Sequence, residues 1–410
     1  MPRTLRLLLN GRLRFARPCI VGRGGRQAPL RLLAVALLVA TAAVACAVPP
    51  TTPGAPGLIT LDWVTGRSKI WDLAFLPGYF PPIYTENDSG TIFARMGGAE
   101  TARPLGTVST FDAGFDNTGE GGLMGIAVDP GYNAVANRRA YACYSTTTDN
   151  RVARFDLDPF AVPGARITNW TTIVTGIPHN SFHDGCRVRF QPGTGALFVS
   201  TGDAGTATAP QSTTGLGGKI LRIDTNGAAW PGNVSGARWY TRGHRNPQGL
   251  AFRPGSNEPF SIEHGPDVND EVDWLVNGAN SGWNPDNGAG VYDQSKPMTD
   301  ATLPGPIMTA VWSSGGVTVA PSGATFLSGS RWKAWDGALA VACLDGSPDV
   351  GQRLLIMKVN AAGTALTEAP TTVLKRAVRL RTAVQGPDGN LYVVTDGVDG
   401  AGAIWLVLPT

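Results

Sequence analysis

The sequence predicts an all-β protein built as a six-bladed β-propeller, and three observations carry that prediction. Apolar stretches that run into a proline turn recur six times, with the prolines at 77, 130, 192, 254, 321 and 387. Their spacings of 53 to 67 residues leave room for a sheet of four short strands, which takes roughly 40 to 50 residues with its loops. Fifty-three glycines and 31 prolines punctuate the chain, and almost no segment shows the 3.6-residue periodicity of an amphipathic helix. Radial repetition of four-stranded sheets protects the strand edges and fits six such units. A hydrophobic fraction of 42% and 11 Trp, 8 Tyr and 14 Phe require a buried core and argue against disorder.

Taken in order, the first 31 residues hold eight Arg, at 3, 6, 12, 14, 17, 23, 26 and 31. Residues 32–48 follow as an uncharged apolar run that ends in small residues at Ala43-Val44-Ala45-Cys46. A basic start, an apolar stretch and small residues at its end read as an export signal, assigned to residues 1–47. The run is slightly short of the roughly 20 residues of a spanning helix, and the absence of an adjacent Arg pair disfavours the twin-arginine route. Ala43-Val44-Ala45-Cys46 also resembles a lipoprotein box, in which Cys46 becomes the lipid-bearing first residue; cleavage after Ala45 or Ala47 is the alternative. The expected location is outside the cytoplasm: periplasmic, cell-surface or extracellular, with a lipid anchor to the membrane if Cys46 is acylated. Residues 48–59, rich in Pro, Thr and Gly, form a linker, and residues 60–410 form the propeller. Without the eight leader arginines, 26 basic residues stand against 31 acidic ones, a balance that gives nucleic acid no reason to bind.

The six repeats are Leu73-Ala74-Phe75-Leu76-Pro77-Gly78, Ile126-Ala127-Val128-Asp129-Pro130-Gly131, Val188-Arg189-Phe190-Gln191-Pro192-Gly193, Leu250-Ala251-Phe252-Arg253-Pro254-Gly255, Val317-Thr318-Val319-Ala320-Pro321-Ser322, and Thr382-Ala383-Val384-Gln385-Gly386-Pro387. Second strands follow several turns, as at Leu197-Phe198-Val199-Ser200 and Leu391-Tyr392-Val393-Val394. Cys143, Cys186 and Cys343 lie in the folded part. One disulfide plus a free thiol, or three buried small apolar residues, both fit, and spacing does not choose a pair.

Propellers bind ligands at one mouth of the central channel, so polar residues next to the strand pairs are the candidate site. His183-Asp184-Gly185-Cys186-Arg187 precedes one pair and Asp203 follows it. A carboxylate that accepts the imidazole N–H fixes the tautomer and raises basicity, so His183 and Asp203 form a candidate base and its orienting partner. His244-Arg245-Asn246-Pro247 places Arg beside Asn, a pair suited to carboxylates or carbonyl oxygens. Behind it, Glu263-His264-Gly265-Pro266-Asp267 offers loop carbonyls and carboxylates to a hard cation such as Ca²⁺. In Arg379-Leu380-Arg381, alternation puts both guanidinium groups on one strand face, where they repel unless solvated or facing an anion. Each stretch by itself also fits a surface turn or a hydrogen-bonded structural residue.

Together, in this order, these motifs resemble the glucose/sorbosone dehydrogenase family, which includes the soluble PQQ-dependent glucose dehydrogenase and the aldose sugar dehydrogenases. The likeness runs from about Gly121 to the C-terminus and adds Gly218-Lys219-Ile220-Leu221-Arg222 and Val319-Ala320-Pro321-Ser322 to the set. It implies a six-bladed propeller that oxidises the anomeric hydroxyl of an aldose by hydride transfer to PQQ, with Ca²⁺ as a second cofactor and an external electron acceptor. By position, it makes His183 the general base, Asp203 its orienting partner and Arg245 the group that stabilises the reduced quinone oxygen. Asn246, His264, Asp270, Thr318, Arg379 and Arg381 fall on cofactor-contacting positions, and the carbonyls of Gly265 and Pro266 on Ca²⁺ ligands. Two positions depart: Glu120 replaces a Gln, and Asp345 a Lys of the glucose enzyme. Both swaps add negative charge beside an anionic cofactor and are expected to weaken its binding by Coulomb repulsion. Two other classes compete, a non-catalytic propeller binding a glycan or protein and a Ca²⁺-dependent lactonase. A binder has no need of a base, and a lactonase has no need of an arginine pair.

Overall fold

The computed structural model describes residues 54–78, 81–345, 352–397 and 400–410. The export signal, the lipoprotein box at Cys46 and the linker up to residue 53 lie outside the described residues. Among the described residues, 24 strands form six four-stranded antiparallel sheets. Five blades are contiguous in sequence, over residues 70–107, 123–177, 185–242, 247–313 and 321–373. The sixth takes three strands from residues 380–409 and its outermost strand, Leu58–Arg67, from the N-terminal end. That strand starts two residues before the boundary drawn at 60, because Leu58 and Ile59 already pair with Pro409 and Leu408.

The first strand of each blade is the innermost, and these six pack side by side in ring order. Among them Leu123–Val128 reads as an unbroken apolar run, while the other five set polar or charged residues such as Asp72, Arg187, Gln248, Ser322 and Arg381 among their apolar ones. Gly125 and Gly249 allow the ring to be tight. A Cβ on Gly125 would lie 2.4 Å from the Cys186 carbonyl oxygen of blade 3, and one on Gly249 2.3 Å from that of Ser322 in blade 5. The core lies between blades: Tyr141 and Val152 of blade 2 pack with Val188, Leu197 and Leu221 of blade 3.

Five of the six proline turns close an innermost strand, following Ala74, Val128, Phe190, Phe252 and Gln385. The fifth repeat is out of register. Pro321 opens the innermost strand Pro321–Phe326, and the turn that closes it carries Gly329 at φ 112°. A proline has no N–H for a ladder but is tolerated as a first strand residue. The residues before it cannot extend the strand, because the N–H groups of Val319 and Ala320 are donated to the Asp270 carboxylate.

Cys143 and Cys186 form a disulfide that joins blade 2 to blade 3, while Cys343 is free and buried. The channel is plugged by polar groups. Asp72 accepts from both Arg189 Nη atoms at 2.7 Å and pairs with Arg187 at 2.7 Å. The Arg187 guanidinium lies 3.9 Å over the Trp71 ring. Burial alone would raise the Asp72 pKa, but the two arginines outweigh it and hold the carboxyl below its ordinary range.

Candidate active site

Every innermost strand opens with a register irregularity against its second strand, between Ile70 and Asp72, Leu123 and Ile126, Gly185 and Val188, Pro247 and Gly249, Pro321 and Ala324, and Leu380 and Thr382. Bulges at the rim of a closed structure bend the strand and re-aim its side chains. Antiparallel pairing sets the start of each innermost strand beside the end of its second strand, so both sets of loops meet at one mouth.

His183 lies on the loop entering the strand Gly185–Phe190, and Asp203 just after Leu197–Thr201. Nδ1 of His183 stands 2.8 Å from Asp203 Oδ1. A carboxylate only accepts, so Nδ1 carries the proton and Nε2 keeps its lone pair. Asp203 is fully buried and His183 is 6% exposed. His183 has a left-handed backbone, φ 61°, a conformation that a non-glycine residue keeps only where its surroundings impose it. Here Glu120 Oε2 accepts the His183 N–H at 2.9 Å, and Ala204 donates to its carbonyl at 3.2 Å.

Opposite lies a cationic cradle. Glu263, at the end of the strand Pro259–Glu263, anchors it by accepting from His244 Nδ1 at 2.8 Å and from the backbone N–H groups of Arg245 and Asn246. His264 sits beside Arg381, Arg245 and Arg379; burial first, then the charges of these arginines, hold its imidazole neutral, well below the ordinary histidine range. Its Nε2, Arg245 Nε and Arg381 Nε are buried without a hydrogen-bond partner. Buried nitrogens left unpaired are costly, and this set suits an anion with several carboxylates. A polar cavity of about 130 Å³ opens at the same mouth, walled by Trp71, Glu120, Asp184, Gln248, Arg381 and Asp396.

Several assignments change in the light of this geometry. Asp270 has both oxygens committed to the protein: Oδ1 accepts from Gly265 N at 2.9 Å, and Oδ2 from Thr318 Oγ1 at 2.9 Å and from the Val319 and Ala320 N–H groups. Asp270 and Thr318 thus clamp two mouth loops together, so much of their hydrogen-bonding capacity serves the protein itself. Arg379 and Arg381 do share a face, but both donate to Asp396 Oδ2, at 3.3 and 2.5 Å, so a protein carboxylate already answers part of their charge. Glu120 is not a bare negative charge: beyond His183 N–H, its Oε2 accepts from Asn246 Nδ2 at 3.3 Å and Gln248 Nε2 at 3.4 Å. Asp345 joins the neighbouring loop through its N–H to the Val319 carbonyl. The Gly265 carbonyl accepts from Arg245 Nη1 at 2.7 Å. A carbonyl has two lone pairs, so a Ca²⁺ on it has to share the oxygen with a guanidinium.

Sequence reasoning missed Gln248, Asp396, Trp283, Tyr292 and Gln294. Arg381 donates to Gln248 Oε1 at 2.5 Å. The last three come from residues 275–311, an irregular excursion between the third and fourth strands of blade 4. Trp283 Nε1 and Tyr292 Oη donate to Asp203 Oδ2 at 2.9 and 2.6 Å, and Arg245 Nη2 donates to Gln294 Oε1 at 2.9 Å. Their only signal was two aromatic residues in a polar, Gly- and Asn-rich stretch.

The chain belongs to the glucose/sorbosone dehydrogenase family, whose model matches residues 67–406. It is similar to the aldose sugar dehydrogenase YliI of Escherichia coli, at 29% identity over 80% of this chain and 88% of that protein. Among solved structures, the PQQ-bound aldose sugar dehydrogenase of Streptomyces coelicolor is 30% identical with a TM-score of 0.69, covering 88% of this chain and 99% of that one. The apo form of the E. coli aldose sugar dehydrogenase is 26% identical with a TM-score of 0.73, covering 86% and 100%.

Proposed function

We propose that this protein is an exported, PQQ- and Ca²⁺-dependent oxidoreductase that oxidises the anomeric hydroxyl of aldose sugars and hands the electrons to an external acceptor. The observation that carries the reading is the His183–Asp203 pair set beside buried, partnerless nitrogens of Arg245, His264 and Arg381. When bound, PQQ supplies a quinone carbon that accepts hydride. Nε2 of His183 takes the proton of the anomeric hydroxyl, and Asp203 holds the ring in the required tautomer and stabilises the imidazolium that results. Arg379 and Arg381 provide positive charge for the carboxylates of PQQ, Arg245 supplies it for the quinone oxygen, and Asn246 adds a polar contact. The carbonyls of Gly265 and Pro266 are the proposed Ca²⁺ ligands. The disulfide between Cys143 and Cys186 supports a place outside the cytoplasm, since such bonds persist in oxidising compartments. Lipid attachment at Cys46 belongs to the same proposal.

Dye reduction by the purified protein with PQQ and Ca²⁺, followed across a panel of aldoses, tests the reading. His183→Ala is expected to lower turnover by about 10² to 10⁴ while PQQ binding, followed by titration, stays within a few-fold. Near-normal turnover in that variant would remove His183 as the base. A strong chelator should abolish activity, with Ca²⁺ restoring it better than Mg²⁺ because loop carbonyls suit the larger, geometrically tolerant ion. Full activity in metal-free protein would leave the Gly265-Pro266 loop as a turn only.

A further inference from the structure

Asp203 faces more donors than an orienting carboxylate needs. Its Oδ1 accepts from His183 Nδ1 at 2.8 Å and from Gly205 N at 2.9 Å, and its Oδ2 from Trp283 Nε1 at 2.9 Å and Tyr292 Oη at 2.6 Å. The shortest of the four comes from Tyr292, whose hydroxyl also stands 3.4 Å from His183 Nδ1. This tyrosine is built into place. It closes a small hairpin by bridging to Asp286, whose Oδ1 accepts from the Gly288 and Gly290 N–H groups at 2.9 and 2.8 Å. Two residues further on, Gln294 takes up Arg245, so one hairpin reaches both halves of the site.

We propose that Tyr292 is a positioning residue that sets the basicity of His183 by donating to Asp203. Each donor draws negative charge on the carboxylate toward itself, leaving less of it to stabilise a protonated imidazole. A base held by a carboxylate without competing donors becomes protonated at higher pH and is out of service over more of the neutral range. Tyr292 keeps His183 unprotonated, and therefore able to accept the sugar's proton, down to lower pH. The phenol stays a donor throughout: burial first, then the charge of Asp203, push its ionisation far above the ordinary tyrosine range.

The other charged and titratable groups around the pair act differently. Glu120 accepts the His183 backbone N–H and not its ring. His264 is held neutral beside His183, and Arg245 is turned to the carbonyls of His264 and Gly265 and to Gln294. Lys219 lies near Asp203, and burial lowers its pKa to about 7, but its Nζ donates to three backbone carbonyls rather than to the Asp203 oxygens. Asp184 is bound to His179 and Asn150. Among the described residues, only Tyr292, Trp283 and Gly205 compete with His183 for the Asp203 oxygens.

The inference rests on His183 being the base of the proposed reaction, and its test separates the two claims. Tyr292→Phe keeps the ring and removes the donor. The chain has four histidines, so ¹H–¹⁵N imidazole spectra of the full-length protein without cofactor, assigned with His183→Ala, give a titration midpoint for His183 alone. The midpoint is expected to rise by about 0.5 to 1 pH unit in Tyr292→Phe, the scale of one altered hydrogen bond on a neighbouring charge, and in the same direction in Trp283→Phe. The acid limb of the kcat/KM profile for dye reduction should move up by the same amount. An unmoved or lowered midpoint in both variants overturns the inference even if turnover drops. A raised midpoint supports it even if no aldose is oxidised, in which case the dehydrogenase reading alone falls. Should Tyr292→Phe fail to fold, Trp283→Phe carries the same test.

Discussion

Glu120 places one negative charge among three donors, the His183 N–H and the side-chain amides of Asn246 and Gln248. Its carboxylate ties the loop entering blade 2 to the loops of blades 3 and 4 that carry His183 and Asn246, so its effect on an anionic cofactor is more than repulsion. Glu120→Gln removes the charge with little change of shape. If repulsion dominated, PQQ affinity would rise in this variant. We expect affinity to stay level or fall and kcat to drop about tenfold, because hydrogen bonds to a charged acceptor are worth roughly 1.5 to 3 kcal/mol; PQQ titration together with turnover decides. His179, half-buried beneath the same loop, makes a second prediction. Its Nδ1 and Nε2 lie 2.8 Å from Asp184 and 3.1 Å from Asp116, two groups that only accept, so the ring holds both protons. The hydrogen bond to Asp184 is the largest cause of a pKa raised above the ordinary 6.5, working against burial. A raised value in the folded state gives stability that is fully present below the unfolded value and fades as pH climbs through the folded one. The Tm deficit of His179→Gln should accordingly be larger near pH 5.5 than near pH 9, and a deficit independent of pH would contradict the ion-pair account.

Three left-handed residues close to one another, His183 at φ 61°, Gly185 at 66° and Cys186 at 70°, turn the chain from the mouth loop into the innermost strand of blade 3. The disulfide to Cys143, in the second strand of blade 2, pins that turn across the blade boundary. Closing a loop of 43 residues stabilises by about 4 kcal/mol on the loop-entropy account. Cys143→Ser with Cys186→Ser should therefore unfold at clearly lower denaturant, whereas Cys143→Ser with Cys186→Gly should recover roughly 1 kcal/mol, since glycine adopts positive φ without a Cβ penalty. Equal midpoints for the two double variants would mean that the turn is not strained at Cys186. Elements of this kind mark how far the sequence could be read. Periodicity and proline turns exposed the innermost strands because an apolar run ending in Pro-Gly is a local signal. The fifth repeat misled because Val317-Thr318-Val319-Ala320 has strand composition, yet its N–H groups serve Asp270. His183, Asp203 and the arginines were legible through motif order, while Asp396 and the Trp283–Gln294 excursion were not, since their roles arise only when distant loops meet at the mouth.

Closure of the ring is a property of the whole molecule. The strand Leu58–Arg67 pairs along Gly402–Pro409, so residues from both ends of the propeller share one sheet and blade 6 cannot be completed by either end alone. Leu58 and Val64 are almost wholly buried, Leu58 in a cluster with Trp332 and Trp335 and Val64 in one with Ile70 and Ile404. Full burial of such side chains stabilises by roughly 1.5 to 3 kcal/mol each, and the lost ladder would leave Ile404 and Val407 on a bare strand edge, a template for pairing with other chains. A chain beginning at residue 68 should thus unfold about 5 to 15 °C lower in calorimetry and form concentration-dependent aggregates. Val64→Asp, which keeps the full length but buries a carboxylate with no partner, should fall in the same direction. A peptide of residues 58–67 added to the shortened chain should raise its Tm with increasing concentration, as any ligand of the folded state does. If the shortened chain melted at the parent temperature and stayed monomeric, the outer strand would be an ornament of blade 6, and the ring would be held by the packing of its six innermost strands alone.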